Sequence, residues 1–544
     1  MPGASLSALA IPTRKALWFT RMNCLRCFSL LLFASISTAL TGAQVDLIVR
    51  NGSIVDGHGT PAYQGDIAVH QGRIIALGQT TLTAKKTIDA HGLVVAPGFI
   101  DVHTHAENIV KMPGATNFVR MGVTTLVLGN CGSSKVALGS FFKDLEDRLF
   151  TPNVASLIGH NKVRLRAMKG SFMRPPTAEE IEVMKALVDQ AMKDGAVGLS
   201  TGLIYLPGTF SKTDELVELA RVASKHGGIY VSHMRSEGEK IADAIDELIQ
   251  IAREAKLPAH VSHIKASGRK NWGRSSEILQ ILAKARTDGL ELTQDQYLYP
   301  ASSTGIQNCI PQRYREGDRS ELKARLANPE TKAEIIAAMK RSLEDKAVKD
   351  YEYAAIASWS VDRRVDGLRI PAAAKIHRGS DSLNEQFELI FEIAASGGAS
   401  GVFHSMSEKD VRRFQQDPYT MFASDSSVRT YPVGVPHPRG YGNSTRVLSE
   451  YVREQKLLSL SEAIRRMTAL PARQFRLKDR GVIRPGAWAD LVIFDPAKVR
   501  DNATFTEPHQ YATGYRYVLV NGSVVVKDDR HTGSRPGRIV RRNQ

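Results

Sequence analysis

Gly122-Val-Thr-Thr-Leu-Val-Leu-Gly-Asn-Cys-Gly132 is an apolar run that stops at a thiol held between turn residues. Its length, its β-branched content and its glycine ending predict a buried strand followed by a tight turn. Four other segments repeat the design. Gly98-Phe-Ile-Asp-Val-His-Thr-His105 lies upstream; Tyr230-Val-Ser-His233, His260-Val-Ser-His263 and Met421-Phe-Ala-Ser-Asp425 lie downstream. Each closes an apolar stretch on a side chain that can ligate a metal. In a barrel of parallel strands the C-terminal strand ends converge on one mouth, where such enzymes do their chemistry.

The residues between these segments supply the helices that a barrel needs. Helical patterns cover Ala178 to Lys193, Thr213 to Lys225, Gly238 to Ala255 and Ser275 to Asp288, and an apolar strand follows each. That alternation predicts βαβ units and a parallel sheet. Strand ends are expected at His103/His105, Cys131, His160, Ser200, His233, His263, Asp295 and Asp425, eight in all. Most are spaced by about 25 to 40 residues, one strand plus one helix. The gap from Asp295 to Asp425 is longer and implies an insertion at about 304–350, whose charged helical part could cover the mouth.

Residues 44–97 and 479–544 read differently. Val45-Asp-Leu-Ile-Val-Arg-Asn-Gly52, Asp66 to Leu77, Ala489 to Asp495 and Tyr517 to Val526 are short strands, the last holding a hairpin about Asn521-Gly522. The fold class expected is therefore α/β: a (β/α)8 TIM-like barrel over 98–478, with a small β-sandwich built from both chain ends.

With 544 residues, 42% hydrophobic and 24% charged, the composition is that of a globular protein. A net charge of +16 raises the question of nucleic acid. No aromatic-interleaved basic stripe, finger or recognition-helix signature accompanies it, so a small anionic substrate is the better expectation. Residues 1–43 run from basic residues to Cys27-Phe-Ser-Leu-Leu-Leu-Phe-Ala-Ser-Ile-Ser-Thr-Ala-Leu40 and then Thr41-Gly-Ala43, the order of a cleavable secretory signal. The apolar run falls short of the roughly 20 residues that span a bilayer. A secreted or periplasmic protein without a stable membrane anchor is expected, starting at Met1 or Met22. Oligomeric state is open. Beyond the signal only Cys131 and Cys309 remain. They could pair in an oxidising compartment, but Cys131 ends a strand beside glycines, which favours a metal thiolate.

These motifs resemble the amidohydrolase superfamily, and within it the N-acyl-D-amino-acid deacylases (D-aminoacylases). The marks are Gly98-Phe-Ile-Asp-Val-His-Thr-His, Gly129-Asn-Cys-Gly, Ser232-His-Met-Arg, Ser262-His-Ile-Lys, Ser424-Asp425, His437-Pro-Arg439 and Gly486-Ala-Trp-Ala-Asp-Leu-Val-Ile-Phe-Asp-Pro. The likeness runs from about Val45 to the C-terminus. Ser426 stands where the family usually has glycine, and Asp295-Gln-Tyr-Leu-Tyr-Pro300 is displaced by about a residue from the family's stretch.

The resemblance implies a zinc hydrolase that cleaves N-acyl-D-amino acids with metal-activated water and Asp425 as general acid and base. Cys131, His233 and His263 would form one open ligand set at roughly 2.0 to 2.3 Å from zinc. His103, His105 and Asp425 would form a second, weaker one. The substrate carboxylate falls to Lys265, Tyr297, Ser302 and Arg439, the arginine because its fork meets a carboxylate in two hydrogen bonds. His160 could support a ligand or act directly. A D-amino-acid dipeptidase, a cyclic amidase of the hydantoinase or dihydroorotase kind, and a binding protein on an inactive barrel are the competing readings. Intact ligands together with Asp425 argue against the last.

Overall fold

The computed structural model describes residues 44–542; the signal segment expected at residues 1–43 lies outside them. Eight parallel strands make the barrel: Phe99–Asp101, Val123–Leu128, Asn153–Ser156 continued by Ile158–Gly159, Gly198–Gly202, Ile229–His233, Ala259–Val261, Leu292–Gln296 and Thr420–Phe422. The ring closes where the last strand meets the first. Asp425 N–H donates to His103 O at 2.9 Å and His105 N–H to Ser426 O at 2.8 Å. Those bonds fall at the ends of the two strands, so closure itself brings His103, His105 and Asp425 together.

The outer helices follow the sequence pattern. Ala178–Lys193 starts at a capping box, in which Thr177 and Glu180 exchange side-chain and backbone bonds, so the Thr-x-x-Glu spacing ends the loop there. The helix expected from Gly238 begins at Ile241 instead. Residues 237–240 stay in a loop, which frees Glu237 to reach inward.

The insertion is larger than the expected 304–350. Ser302–Gly305, Ala354–Ser358 and Ser400–Phe403 form an antiparallel sheet with Ser302 opposite Phe403, so the excursion runs from 302 to 403. It has its own apolar core, including Ile306, Met339, Trp359, Phe387 and Ile390. The later helices and strands alternate much as the barrel does, and only the antiparallel pairing separates them from it.

Both chain ends enter one nine-stranded sheet. Val94–Pro97 pairs antiparallel with Leu491–Phe494, and Val49, Ile67, Val95, Leu491, Ile493 and Leu519 share a core. Asn521 and Gly522 turn the hairpin between Tyr515–Val520 and Ser523–Lys527, both with positive φ as that turn type demands. The basic tail adds Ile539 beside Val154 of the barrel. Among the described residues no helix is long and apolar enough to cross a membrane.

Candidate active site

Cys131 stands at the centre of the barrel mouth. Its Sγ lies 3.3 Å from His103 Nε2, 3.5 Å from His233 Nδ1 and 3.6 Å from His263 Nε2. The residues that deliver these atoms leave their strands sharply: Cys131, His263 and Asp425 have φ of 52°, 33° and 48°. Non-glycine residues in that region are uncommon and concentrate at functional sites. The flanking glycines have a steric reason. A Cβ on Gly129 would come within 2.2 Å of Leu157 O, and one on Gly132 within 2.0 Å of Asn161 Oδ1. Asn130 ties the turn to the first strand by donating to Val102 O.

His103 is the bridge in this arrangement. It contacts Cys131 through Nε2, and the same nitrogen lies 3.7 Å from Asp425 Oδ1. His105 Nε2 is 3.1 Å from that oxygen, and Arg439 Nη1 is 3.0 Å from Oδ2. Ligand atoms within 4.8 Å of one another fall into three groups: His103, Cys131 and His263; His103, His105 and Asp425; and His233, Glu237 and His263. The two separate sets read from the sequence are therefore joined through His103 and His263.

Electrostatics favour the charged ligands. Burial opposes a thiolate at Cys131, but His103 and His233 overcome it and hold the thiol well below its usual range. Burial likewise opposes ionisation of Asp425, and Arg439, His103 and His105 hold it well below the ordinary carboxylate range. A thiolate ringed by imidazoles, with a carboxylate beside it, is a donor set that suits zinc. Among the described residues neither Cys131 nor Cys309 is in a disulfide: Cys131 is buried in this cluster, and Cys309 belongs to the insertion.

A supporting layer lies behind. Asp295, fully buried, accepts from His103 Nδ1 at 3.2 Å, His260 Nε2 at 2.8 Å and the His263 backbone N–H at 3.0 Å, which orients the His103 imidazole and fixes the backbone that carries His263. Glu237 plays a similar part for His263, at 3.0 Å from Nδ1, and for Lys265. Asp295 was legible in the sequence as an expected strand end. Glu237 gave no such signal, because it stands just before the helix expected from Gly238, outside any strand end.

The substrate-binding residues expected from the sequence separate. Arg439 borders an open cleft of about 400 Å³ with His105, Cys131, Asp425 and Tyr205. Tyr297 is buried beneath it, its ring 4.3 Å from the Arg439 guanidinium and 5.6 Å from Lys265 Nζ. Lys265 is buried and bonded to Glu237. Ser302 borders a neighbouring cavity of about 810 Å³ beside the insertion, while Ser303 and Thr304 reach the cleft. Tyr205, which sequence reasoning missed, sets its ring 4.8 Å from His233. His160 bonds Glu215 at 2.8 Å, with Arg164 on the same carboxylate, in a buried cluster away from Cys131. His404 lines the larger cavity and packs on Phe505.

Residues 86–526 match the model of an amidohydrolase family. This chain belongs to the amidohydrolase family. It is 34% identical to an N-acyl-D-glutamate deacylase and 35% identical to a D-aminoacylase, both from Alcaligenes xylosoxydans xylosoxydans. The alignments cover 92% and 91% of this amidohydrolase and 97% and 98% of those relatives. A solved N-acyl-D-glutamate deacylase from Bordetella bronchiseptica, complexed with zinc and a phosphonate mimic of the tetrahedral intermediate, superposes with a TM-score of 0.78. That pair is 34% identical over 92% of this chain and all of the other.

Proposed function

We propose that this amidohydrolase is a zinc enzyme that cleaves the amide bond of N-acyl-D-amino acids, giving a carboxylate and a free D-amino acid. The observation that carries the reading is the Cys131 sulfur ringed by three imidazoles beside an ionised Asp425. The N-acyl-D-amino-acid deacylases it resembles over nearly their full length support the same chemistry.

Cys131, His233 and His263 would hold the tight zinc ion, and His103, His105 and Asp425 a second, weaker one. When bound, the metal supplies a Lewis acid that polarises the acyl carbonyl and makes water acidic enough to attack near neutral pH. The remaining work belongs to the chain. Asp425 takes a proton from the attacking water and passes it to the departing nitrogen, a role that needs a carboxylate ionised at the start. His105 and Arg439 keep it so from either side. Arg439 presents its fork to the substrate carboxylate, stacked over Tyr297. Lys265 contributes once the substrate draws it from Glu237. Export as a secreted or periplasmic protein is part of this proposal, supported by the charged, apolar, small-residue order of residues 1–43.

The test is a substrate panel with zinc added: N-acyl-D-amino acids, their L enantiomers, D-amino-acid dipeptides and hydantoins. Hydrolysis of the D-configured acids ahead of the rest supports the reading. A preference for dipeptides or for the cyclic ureides would replace it.

A further inference from the structure

The cleft carries more positive charge than catalysis requires. Its charged walls are His105, Lys162, Asp425, Arg429 and Arg439. Asp425 is the one acid among them, and His105 and Arg439 already engage it. Arg429 is different. Its Nε donates to Ser426 Oγ at 3.1 Å, its backbone N–H is fixed by Asn117 at 3.2 Å, and no carboxylate among the described residues lies within 4.0 Å of its guanidinium. Lys162, in the helix His160–Met168, also lines the cleft and likewise has no acidic partner among the described residues.

A half-buried guanidinium without a counter-ion is costly to keep charged, since burial strips its water and Arg439 repels it. Those two effects pull Arg429 down to about 10, so it still carries a full charge at neutral pH. Such a group is balanced when an anion enters the cleft. The substrate's own carboxylate has a place already, at Arg439. Resting on the deacylase reading above, we propose that Arg429, assisted by Lys162, reads a second carboxylate on the side chain of the amino acid. The preferred substrates are then dianionic N-acyl-D-amino acids with an acidic side chain. The similarity to relatives does not decide this, because a D-aminoacylase matches as well as the N-acyl-D-glutamate and N-acyl-D-aspartate deacylases do. The unpaired arginine does.

The experiment measures kcat/KM of the zinc-loaded enzyme for N-acetyl-D-glutamate and for its amide isostere, N-acetyl-D-glutamine. A charge-assisted bond lost to a neutral amide corresponds to roughly 10- to 100-fold in that ratio. We expect the wild type to favour the acid by that margin, Arg429→Gln to erase most of it, and Arg429→Lys to retain part. Lys162→Met, at an exposed helix position, should lower the ratio by a smaller factor and covers the case in which Arg429 variants fold poorly. Equal losses on acid and amide in Arg429→Gln would show that Arg429 grips the shared α-carboxylate and would overturn the proposal alone. So would a wild type that favours the amide. Failure to cleave either D-configured substrate would instead overturn the deacylase reading beneath it.

Discussion

Two cysteines of the described chain sit about the same barrel mouth and behave as opposites. Cys131 stands among His103, His233 and His263, and His103 and His233, with a hydrogen bond from His105, draw its proton away despite burial. Cys309 lies in the insertion, facing the larger cavity near Tyr353 and Lys346. There burial dominates and pushes the thiol up to about 12, with Lys346 and Arg315 only partly offsetting it. The residue type is shared; the field around it decides whether sulfur is a ligand or packing material.

The most severe way to probe this contrast is to remove each sulfur. Cys131→Ala should abolish turnover and reduce bound zinc, measured by metal analysis beside kcat. A mutant that keeps tight zinc would break the comparison. Asp425→Asn should follow, with turnover down by about 10² to 10⁴ while zinc on Cys131, His233 and His263 persists. Near-normal turnover would remove Asp425 from proton transfer. Next comes Arg439→Ala, which should raise KM for the free acid by roughly 10- to 100-fold. It should also narrow the gap between substrate acids and their carboxyl amides; an unchanged gap would place the carboxylate elsewhere.

Smaller effects sharpen the Cys309 side. A thiol whose folded pKa is raised to about 12 stays protonated through neutral pH. Native protein should therefore resist iodoacetamide at Cys309 from pH 6 to 9, read by peptide mass. Unfolding returns the group to about 8.5 and should open it to labelling. Rapid native labelling would contradict the burial argument. The smallest change expected is Cys309→Ala: zinc content and turnover stay at wild-type values, and stability falls by about 1 kcal/mol, as for an ordinary partly buried side chain.

The strand ends were legible because a buried parallel strand is a run of apolar residues, and a polar residue closing it stands out. The helices Ala178–Lys193 and Thr213–Lys225 were legible for a local reason as well, since the amphipathic period is written within one segment. The insertion was harder. Its second half from Tyr351 to Phe403 has the texture of the barrel, and a pairing between residues 302 and 403 is invisible to any local window. Glu237 was hidden for a similar reason: it stands outside any strand end in the sequence and becomes a partner of His263 and Lys265 only when two neighbouring strand ends meet.

By itself the sequence determined the kinds of atom available and the face on which each would emerge. Cys131, the three His-bearing strand ends at His103/His105, His233 and His263, and Asp425 follow from periodicity, because side-chain direction along a strand is a local property. Only the tertiary structure decided how they are shared. Ring closure sets His103 between the thiol and the carboxylate, and Asp295 locks its imidazole from behind. It likewise gave Lys265 to Glu237, brought Ser303 instead of Ser302 to the cleft, and left Arg429 without an acid. Distances of 3 to 4 Å between groups hundreds of residues apart depend on strand stagger and loop path, and no local pattern encodes those.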